Sequence, residues 1–277
     1  MKTTEFFEKH NYVLVKNFIP RVLADYLYRY SRVVETSAKI MVDTKFPKYD
    51  LEIFGKFGDG QVPGTFYRYA DPAFDTLLVH SVPAMEFVTG MVLQPTYSYW
   101  RMYKKDDVLK RHRDRPSCEI SATLCLGYDT SNVKDKKYNW PMWIDETGSL
   151  TNPGSPIYME PGDCIIYKGS KVDHWRLPFE GERLAQVFLH YSDQNGPFAQ
   201  YTKYDARPFV GLPGYFRDQE KIDKAGEIGY NLYTSQMQGL GEEGLAEKSL
   251  IERTQRDFDD KNEMKLNDTK NSDTKDK

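Results

Sequence analysis

The sequence is short of several features that would sort it at once. Cysteine is scarce: three residues in 277 (Cys118, Cys125, Cys164), with no C-x-x-C spacing. An odd, unpaired set fits buried thiols in a reducing compartment better than a disulfide scaffold. Long apolar runs are absent. No stretch approaches the ~20 residues of a membrane span. The opening Met-Lys-Thr-Thr-Glu-Phe-Phe-Glu has no continuous apolar region of a signal peptide, so a cytoplasmic location without a membrane partner is expected. Excess charge of one sign is also missing. A net charge of −3 gives no electrostatic case for nucleic acid as a partner. Histidine is limited to His10, His80, His112, His174 and His190, so any imidazole site must draw on these five.

What is present is aromatic: 20 Tyr and 15 Phe within a 39% hydrophobic composition, enough for a sizeable core. The length suits one large domain or two ordinary ones. Residues 241–277 carry the whole net charge and a single aromatic, Phe258, and end in a polar run. Such a tail cannot bury enough apolar surface to offset its ordering entropy, so it is expected to be partly disordered, with 242–263 able to form a polar helix.

Along the chain, Tyr12 to Ile19 reads as a short strand. Pro20 then opens an amphipathic helix to about residue 38, with Val22, Leu23, Tyr26, Leu27, Tyr30, Val33 and Val34 at helical spacing. Residues 43–70, rich in Gly and Pro, read as loop with short strands. Asp71-Pro72 and Ser81-Val-Pro83 start two further helices. After Pro95 the period changes to two: Tyr97, Tyr99, Arg101 and Tyr103 alternate with Ser98, Trp100 and Met102, and Ile120 to Leu126 alternate likewise. Short strands follow at 140–145, 156–160, 164–167 and 183–190, punctuated by turns at Pro161-Gly-Asp163 and Gly169-Ser170. Helices precede the strands and do not alternate with them. The fold class expected is therefore mainly β with flanking α-helices: a jelly roll at about 94–193, helical support at 1–93 and a C-terminal extension at 194–240, all one domain. The aromatic stretch 196–216 can pack back over the barrel or serve as a lid.

His112-x-Asp114 ends a run that reads as a strand. Residues two apart share a face, so both can meet one metal ion, two thirds of the facial triad of non-haem iron oxygenases. Alone, the tripeptide is a common surface pair. His174, sixty positions after Asp114 and beyond the Pro-Gly-Asp and Gly-Ser turns, is the histidine best placed to complete a site. Nine residues later comes Arg183, whose guanidinium fork can hold a carboxylate bidentately, although an arginine at a strand start is more often a surface charge.

The set Tyr103…Leu109-x-x-His112-x-Asp114…Pro161-Gly-Asp163…His174…Pro178…Gly181-x-Arg183 resembles the Fe(II)/2-oxoglutarate-dependent dioxygenases, and within them the prolyl 4-hydroxylase-like branch. The resemblance spans roughly residues 10–193 and is carried by about a dozen positions. It implies a double-stranded β-helix with Fe(II) bound by His112, Asp114 and His174. It also implies 2-oxoglutarate held by Arg183 and Tyr103, O2 as oxidant, and ascorbate as an accompanying reductant. The substrate would be a peptide (a prolyl residue or another side chain) or a small molecule, hydroxylated with release of succinate and CO2. Related halogenases replace the carboxylate ligand with a small residue, and Asp114 is present. Three departures stand out. Lys104-Lys-Asp-Asp lies where relatives carry glycine, Ala185 where many carry serine, and the interval from His174 to Arg183 is about one residue short.

Around the ligands, Tyr99, Arg101, Arg115, Trp175 and Arg176 are candidate pocket or substrate residues. Arg111, Arg113, Arg115 and Arg176 either meet an anionic substrate at the mouth or are solvated charges at strand ends. Trp140, Trp143 and Trp175 line the entrance or fill the core. Two other readings use the same residues: a non-catalytic jelly-roll binding module, and a zinc-dependent hydrolase, which would need a general base at the metal. The sequence leaves the oligomeric state open.

Overall fold

Alternating apolar side chains make β4 (Leu93–Lys104), β6 (Ile120–Asp129) and β11 (Arg183–Asp193) long strands, and β11 lies antiparallel between the other two along its whole length. The computed structural model describes residues 2–45, 53–147 and 152–237. The polar tail at 241–277 lies outside them. By contact clustering the chain divides into residues Met1–Ile228 and a second unit from Gly229, of which the described part is the end of a helix, Gln219–Met237.

In the first unit, β4, β6 and β11 join β1 (Tyr12–Val15), β2 (Lys56–Phe57), β3 (Phe66–Tyr69) and β9 (Cys164–Tyr167) in a seven-stranded sheet of order β1-β9-β6-β11-β4-β3-β2. A second sheet, β5-β10-β7-β8, is formed by β5 (Leu109–His112), β10 (Asp173–Arg176), β7 (Met142–Asp145) and β8 (Ser155–Ile157). Among the described residues the strand pairings of both sheets are antiparallel. The architecture is the expected two-sheet jelly roll with helices outside.

The two faces of β11 divide the core. Ala185, Val187, Leu189 and Tyr191 pack in one cluster with Ala24 and Leu27 of α2 (Arg21–Asp43), Phe74 and Leu78 of α3 (Pro72–His80) and Met85 of α4 (Val82–Thr89). Leu184 and Phe188 face the barrel interior with Tyr103, Leu109, Trp140 and Phe179. A third cluster, with Cys125, Ile144, Ile165 and Tyr167, fills the rest of that interior.

Helix α2 runs five residues beyond the periodic stretch. Helix α1 (Thr3–His10) was not expected: Phe7 is its one buried side chain, too little to leave a periodic trace. In the Pro-Gly-Asp turn Gly162 has φ +98°, and a Cβ there would stand 2.7 Å from the Ile19 carbonyl oxygen. Asp163 accepts from Lys16 Nζ at 2.5 Å and from the Asn17 and Glu160 N–H groups at 3.0 and 2.8 Å, which ties the β1–α2 link to the barrel.

Beyond β11 the chain packs back over the barrel end. Tyr204, Asp205 and Ala206 are all left-handed, with φ of 52°, 56° and 58°. Non-glycine residues hold that conformation only when their surroundings impose it. Here Arg115 donates both Nη atoms to Asp205 at 2.7 and 2.8 Å, Tyr69 donates its hydroxyl at 2.7 Å, and Arg207 reaches the Thr96 carbonyl at 3.1 Å.

Candidate metal centre

Strands β5 and β10 bring the two histidines together, with His174 directly opposite His112. The next pair is Arg176 with Leu109, so three residues on β5 span what two span on β10. This bulge lets Leu109 and His112 both face inward although they are three apart, while Arg111 turns outward onto Trp175. Asp114 follows the strand, its N–H donating to the Gly169 carbonyl at 2.9 Å.

The three side chains converge. His112 Nε2 and His174 Nε2 lie 3.6 and 3.5 Å from Asp114 Oδ1, and the imidazole centroids are 4.2 Å apart. Each histidine turns Nδ1 toward a backbone carbonyl, His112 to Lys110 at 2.8 Å and His174 to Val172 at 3.2 Å. A carbonyl only accepts, so Nδ1 carries the hydrogen and the neutral ring offers its Nε2 lone pair to the shared point. Ser121 donates to Asp114 Oδ2 at 2.9 Å, which leaves Oδ1 as the inward oxygen. One carboxylate and two imidazoles within 4.8 Å of one another fit a facial three-ligand site for a divalent iron ion.

Gly169 makes room for this carboxylate. A Cβ there would lie 2.5 Å from Asp114 Oδ2, 2.7 Å from Ser121 Oγ and 2.4 Å from the Cys118 carbonyl oxygen. The electrostatics of the metal-free site match its geometry. Burial pushes the Asp114 carboxyl up, but the charge and hydrogen bond of His174, with His112 behind, outweigh it and hold Asp114 below its ordinary range. His174 is raised for the reciprocal reason, Asp114 outweighing burial. Burial, helped by His174, pushes His112 down to about 4.

Asp114, Cys118 and His190 also fall within 4.8 Å. Burial drives the Cys118 thiol far above its usual range, and the thiol pairs with the Tyr97 hydroxyl at 3.0 Å. His190 is held at Nδ1 by Ser121 at 3.0 Å, packs on Tyr97 and is pushed down to about 4 by burial. A protonated thiol and an engaged imidazole make this a supporting shell.

Of the co-substrate pair, Tyr103 is fully buried in the interior and accepts from Arg101 at 2.8 Å. Arg183 requires a correction. Its side chain leaves the barrel on the helix side, is 42% exposed, and donates to Glu35 of α2 at 2.8 Å. The inward residue is Leu184. Arg183 shares the parity of Ala185 and Val187, which pack on the helix side, and along a strand a shift of one position moves a side chain to the opposite face.

The remaining candidates divide between clamps and interior. Arg101 is buried, pairing with Asp59 at 2.7 Å and reaching Gln61 at 2.9 Å, and Tyr99 also hydrogen-bonds Asp59. Arg115 is tied to Asp205. Arg111 pairs with Asp145 and Asp173, and Arg113 with Asp173 at 2.7 Å. These three arginines are committed to carboxylates of the fold, which removes the case that they greet an anionic substrate. Trp175 stacks on Trp143 outside the metal face. Arg176 is buried inside, not at the mouth. The sequence reading did not single out Asp59, Ser121, Gly169, Asp173, Gln186 or Asp205. Only Asp173, beside His174, and Gly169, in a Gly-Ser turn, had any local signal.

No model of a known protein family matches the sequence, and no curated protein matches it. Solved structures do. A 2OG-Fe(II) oxygenase-family oxidoreductase from Burkholderia pseudomallei aligns over 73% of this chain and 92% of its own, at 11% identity and a TM-score of 0.50. The non-haem α-ketoglutarate-dependent carbocyclase SnoK of nogalamycin biosynthesis aligns over 76% and 94%, also at 11% and 0.50. The fold is that of the Fe(II)/2-oxoglutarate oxygenases. A prolyl-4-hydroxylase from Pseudomonas putida is likewise similar over 69% of this chain and 97% of its own, at 17% identity and a TM-score of 0.48. Among the described residues of this oxygenase fold no helix is long and apolar enough to cross a membrane.

Proposed function

We propose that the chain is an Fe(II)/2-oxoglutarate-dependent dioxygenase that hydroxylates a C–H bond of a peptide or small molecule. The observation that carries this reading is the convergence of His112, Asp114 and His174 on paired strands of the barrel, each histidine with Nδ1 occupied by a carbonyl and Nε2 free. Bound iron, with 2-oxoglutarate and O2, supplies an oxidant for C–H bonds and yields succinate and CO2. The chain's own part is to fix and shield. The β5–β10 pairing sets the angle between the imidazoles, Ser121 and Gly169 set the carboxylate, Tyr167 packs on His174, and Tyr97 and Phe188 pack on the neighbouring His190.

A hydrolytic use of the site would need a further base beside the metal. Among the described residues the groups gathered with Asp114 are His112, His174, Cys118 and His190, with no second carboxylate. A purely binding role leaves unexplained why both imidazoles are pre-set for a metal.

The test is spectroscopic. Under nitrogen, protein loaded with Fe(II) and 2-oxoglutarate is expected to develop the weak visible charge-transfer band of a chelated 2-oxo acid, which bleaches on admitting oxygen. Loaded protein that shows no such band removes the proposal.

A further inference from the structure

The outward turn of Arg183 leaves β11 with no cation facing the barrel; its inward residues include Leu184, Gln186, Phe188 and His190. A dicarboxylate held by the metal at one end still needs a donor set at the other. The interior contains two guanidinium groups, Arg101 and Arg176, 3% and 1% exposed. The first is matched by Asp59. The second is not: Arg176 donates Nη1 to the Trp140 carbonyl at 2.7 Å and Nη2 to Gln186 Oε1 at 3.0 Å, and lies 4.5 Å over the Trp140 ring. No carboxylate among the described residues pairs with it. A guanidinium taken out of water without a counter-charge is costly, and arginines are rarely fully buried unless paired.

A second observation points the same way. Gln186 Nε2 is buried and has no partner among the described residues. Its orientation is not arbitrary: Arg176 can only donate, so the amide oxygen must face it and the NH2 must face elsewhere. Tyr103, which stacks edge-on against the same Trp140 at 4.9 Å, accepts from Arg101 and keeps its own hydroxyl proton to donate. Gln186 on β11 and Tyr103 on β4 therefore hold donors without an acceptor among the described residues, and Arg176 on β10 has neutral acceptors but no carboxylate. Arg176 shares its strand face with His174, two residues or about 6.6 Å away, a distance a five-carbon chain can bridge.

We infer that Arg176, with Gln186 and Tyr103, forms the anchor for the distal carboxylate of the 2-oxo acid, in place of an arginine on β11. The inference rests on the proposed oxygenase function but can fail separately from it. Three probes separate the ends of the ligand: 2-oxoglutarate, 2-oxopentanoate (which keeps the chelating end and lacks the distal carboxylate) and glutarate (which keeps the carboxylates and lacks the 2-oxo group). Affinities are measured by calorimetry on the full-length chain, with Mn(II) for the oxo acids and metal-free for glutarate.

In Arg176→Met, binding of 2-oxoglutarate and of glutarate is expected to weaken roughly 10- to 100-fold, the range for a charge-assisted pair, while 2-oxopentanoate is unchanged. Gln186→Glu supplies an internal carboxylate for Arg176, so it is expected to fold with an undiminished melting temperature yet lose both dicarboxylates. Arg183→Ala is expected to leave all three affinities alone. The anchor is overturned if the dicarboxylates bind Gln186→Glu as they bind wild type, if Arg183→Ala abolishes their binding, or if wild type binds glutarate no better than 2-oxopentanoate and Arg176→Met does not change 2-oxoglutarate. Loss of the charge-transfer band with glutarate binding still dependent on Arg176 overturns the iron reading and leaves the anchor standing.

Discussion

The two ends of the barrel interior differ in how their charges are settled. At the metal end the outward-facing atoms of the ligands are already held: both histidine Nδ1 atoms and the second carboxylate oxygen are engaged, while the two Nε2 atoms and Asp114 Oδ1 face one another at 3.5–3.6 Å. Around Trp140 a guanidinium faces only neutral acceptors and an amide nitrogen faces none. The first pattern keeps candidate ligands in place for an ion. The second is a deficit that an anionic ligand would make good. A barrel that is complete at one end and deficient at the other can therefore receive a bifunctional molecule in only one direction.

That contrast can be broken from the metal side. Asp114→Ala removes the hinge of the triad and leaves two histidines without their carboxylate. Iron affinity is expected to fall by ~100-fold or more, judging from the 10–100-fold cost of losing even an outer-shell partner, and uncoupled succinate formation to vanish while circular dichroism stays native. Undiminished succinate in this variant would take Asp114 out of the site.

A smaller effect is expected at Asp205, which braces the residue next to Asp114. Removing one partner of a fully buried pair costs about 3–5 kcal/mol; Arg115 is 37% exposed, so about 2 kcal/mol is expected for Asp205→Asn. The sign with pH follows from the depressed carboxyl, where burial is outweighed by Arg115. Its stabilisation is fully present above the ordinary carboxylate value near 4 and is lost as pH falls toward the lower folded value. Melting curves of the two proteins should converge in acid and separate above about pH 4; a constant gap throughout would show that the charge is not what matters.

The smallest change in chemistry is Gly169→Ala, one methyl group driven against Asp114 and Ser121. Overpacking of this kind costs about 1–3 kcal/mol, and the metal should bind more weakly because the carboxylate must move to admit it. Metal titration of a folded Gly169→Ala protein measures the effect directly, and an unchanged affinity would deny Gly169 its place.

Much of this was legible in the chain. Period-two stretches gave β4 and β6, a strand at 183–190 gave most of β11, and the Pro-Gly-Asp and Gly-Ser turns marked the way to His174. Residue order, read through the family resemblance, brought His112, Asp114 and His174 together on paper, because such a set is read at three positions, whichever way the strands are joined. Arg183 was misread because its role depends on parity along β11, and a motif match tolerates the one-residue shortfall that a pleated strand does not. Arg176 was noticed only as a neighbour of His174. Its significance lies in what it is not paired with, and pairing is a property of the folded interior. Asp59 and Asp205 act across 42 and 90 residues of sequence and Gln186 across 10, between two different strands, and no local pattern announces them.

The bulge in β5 has a consequence for how such a site is inherited. It is the single extra residue between Leu109 and His112 that turns the imidazole inward. Deleting Lys110 would leave two ladder rungs in register and the sheet whole, while His112 would rotate to the solvent side and the candidate triad would lose one of its three groups. Chain length at this point works as a switch set in the genome, with the proposed three-ligand face on one side and a barrel of the same shape without it on the other.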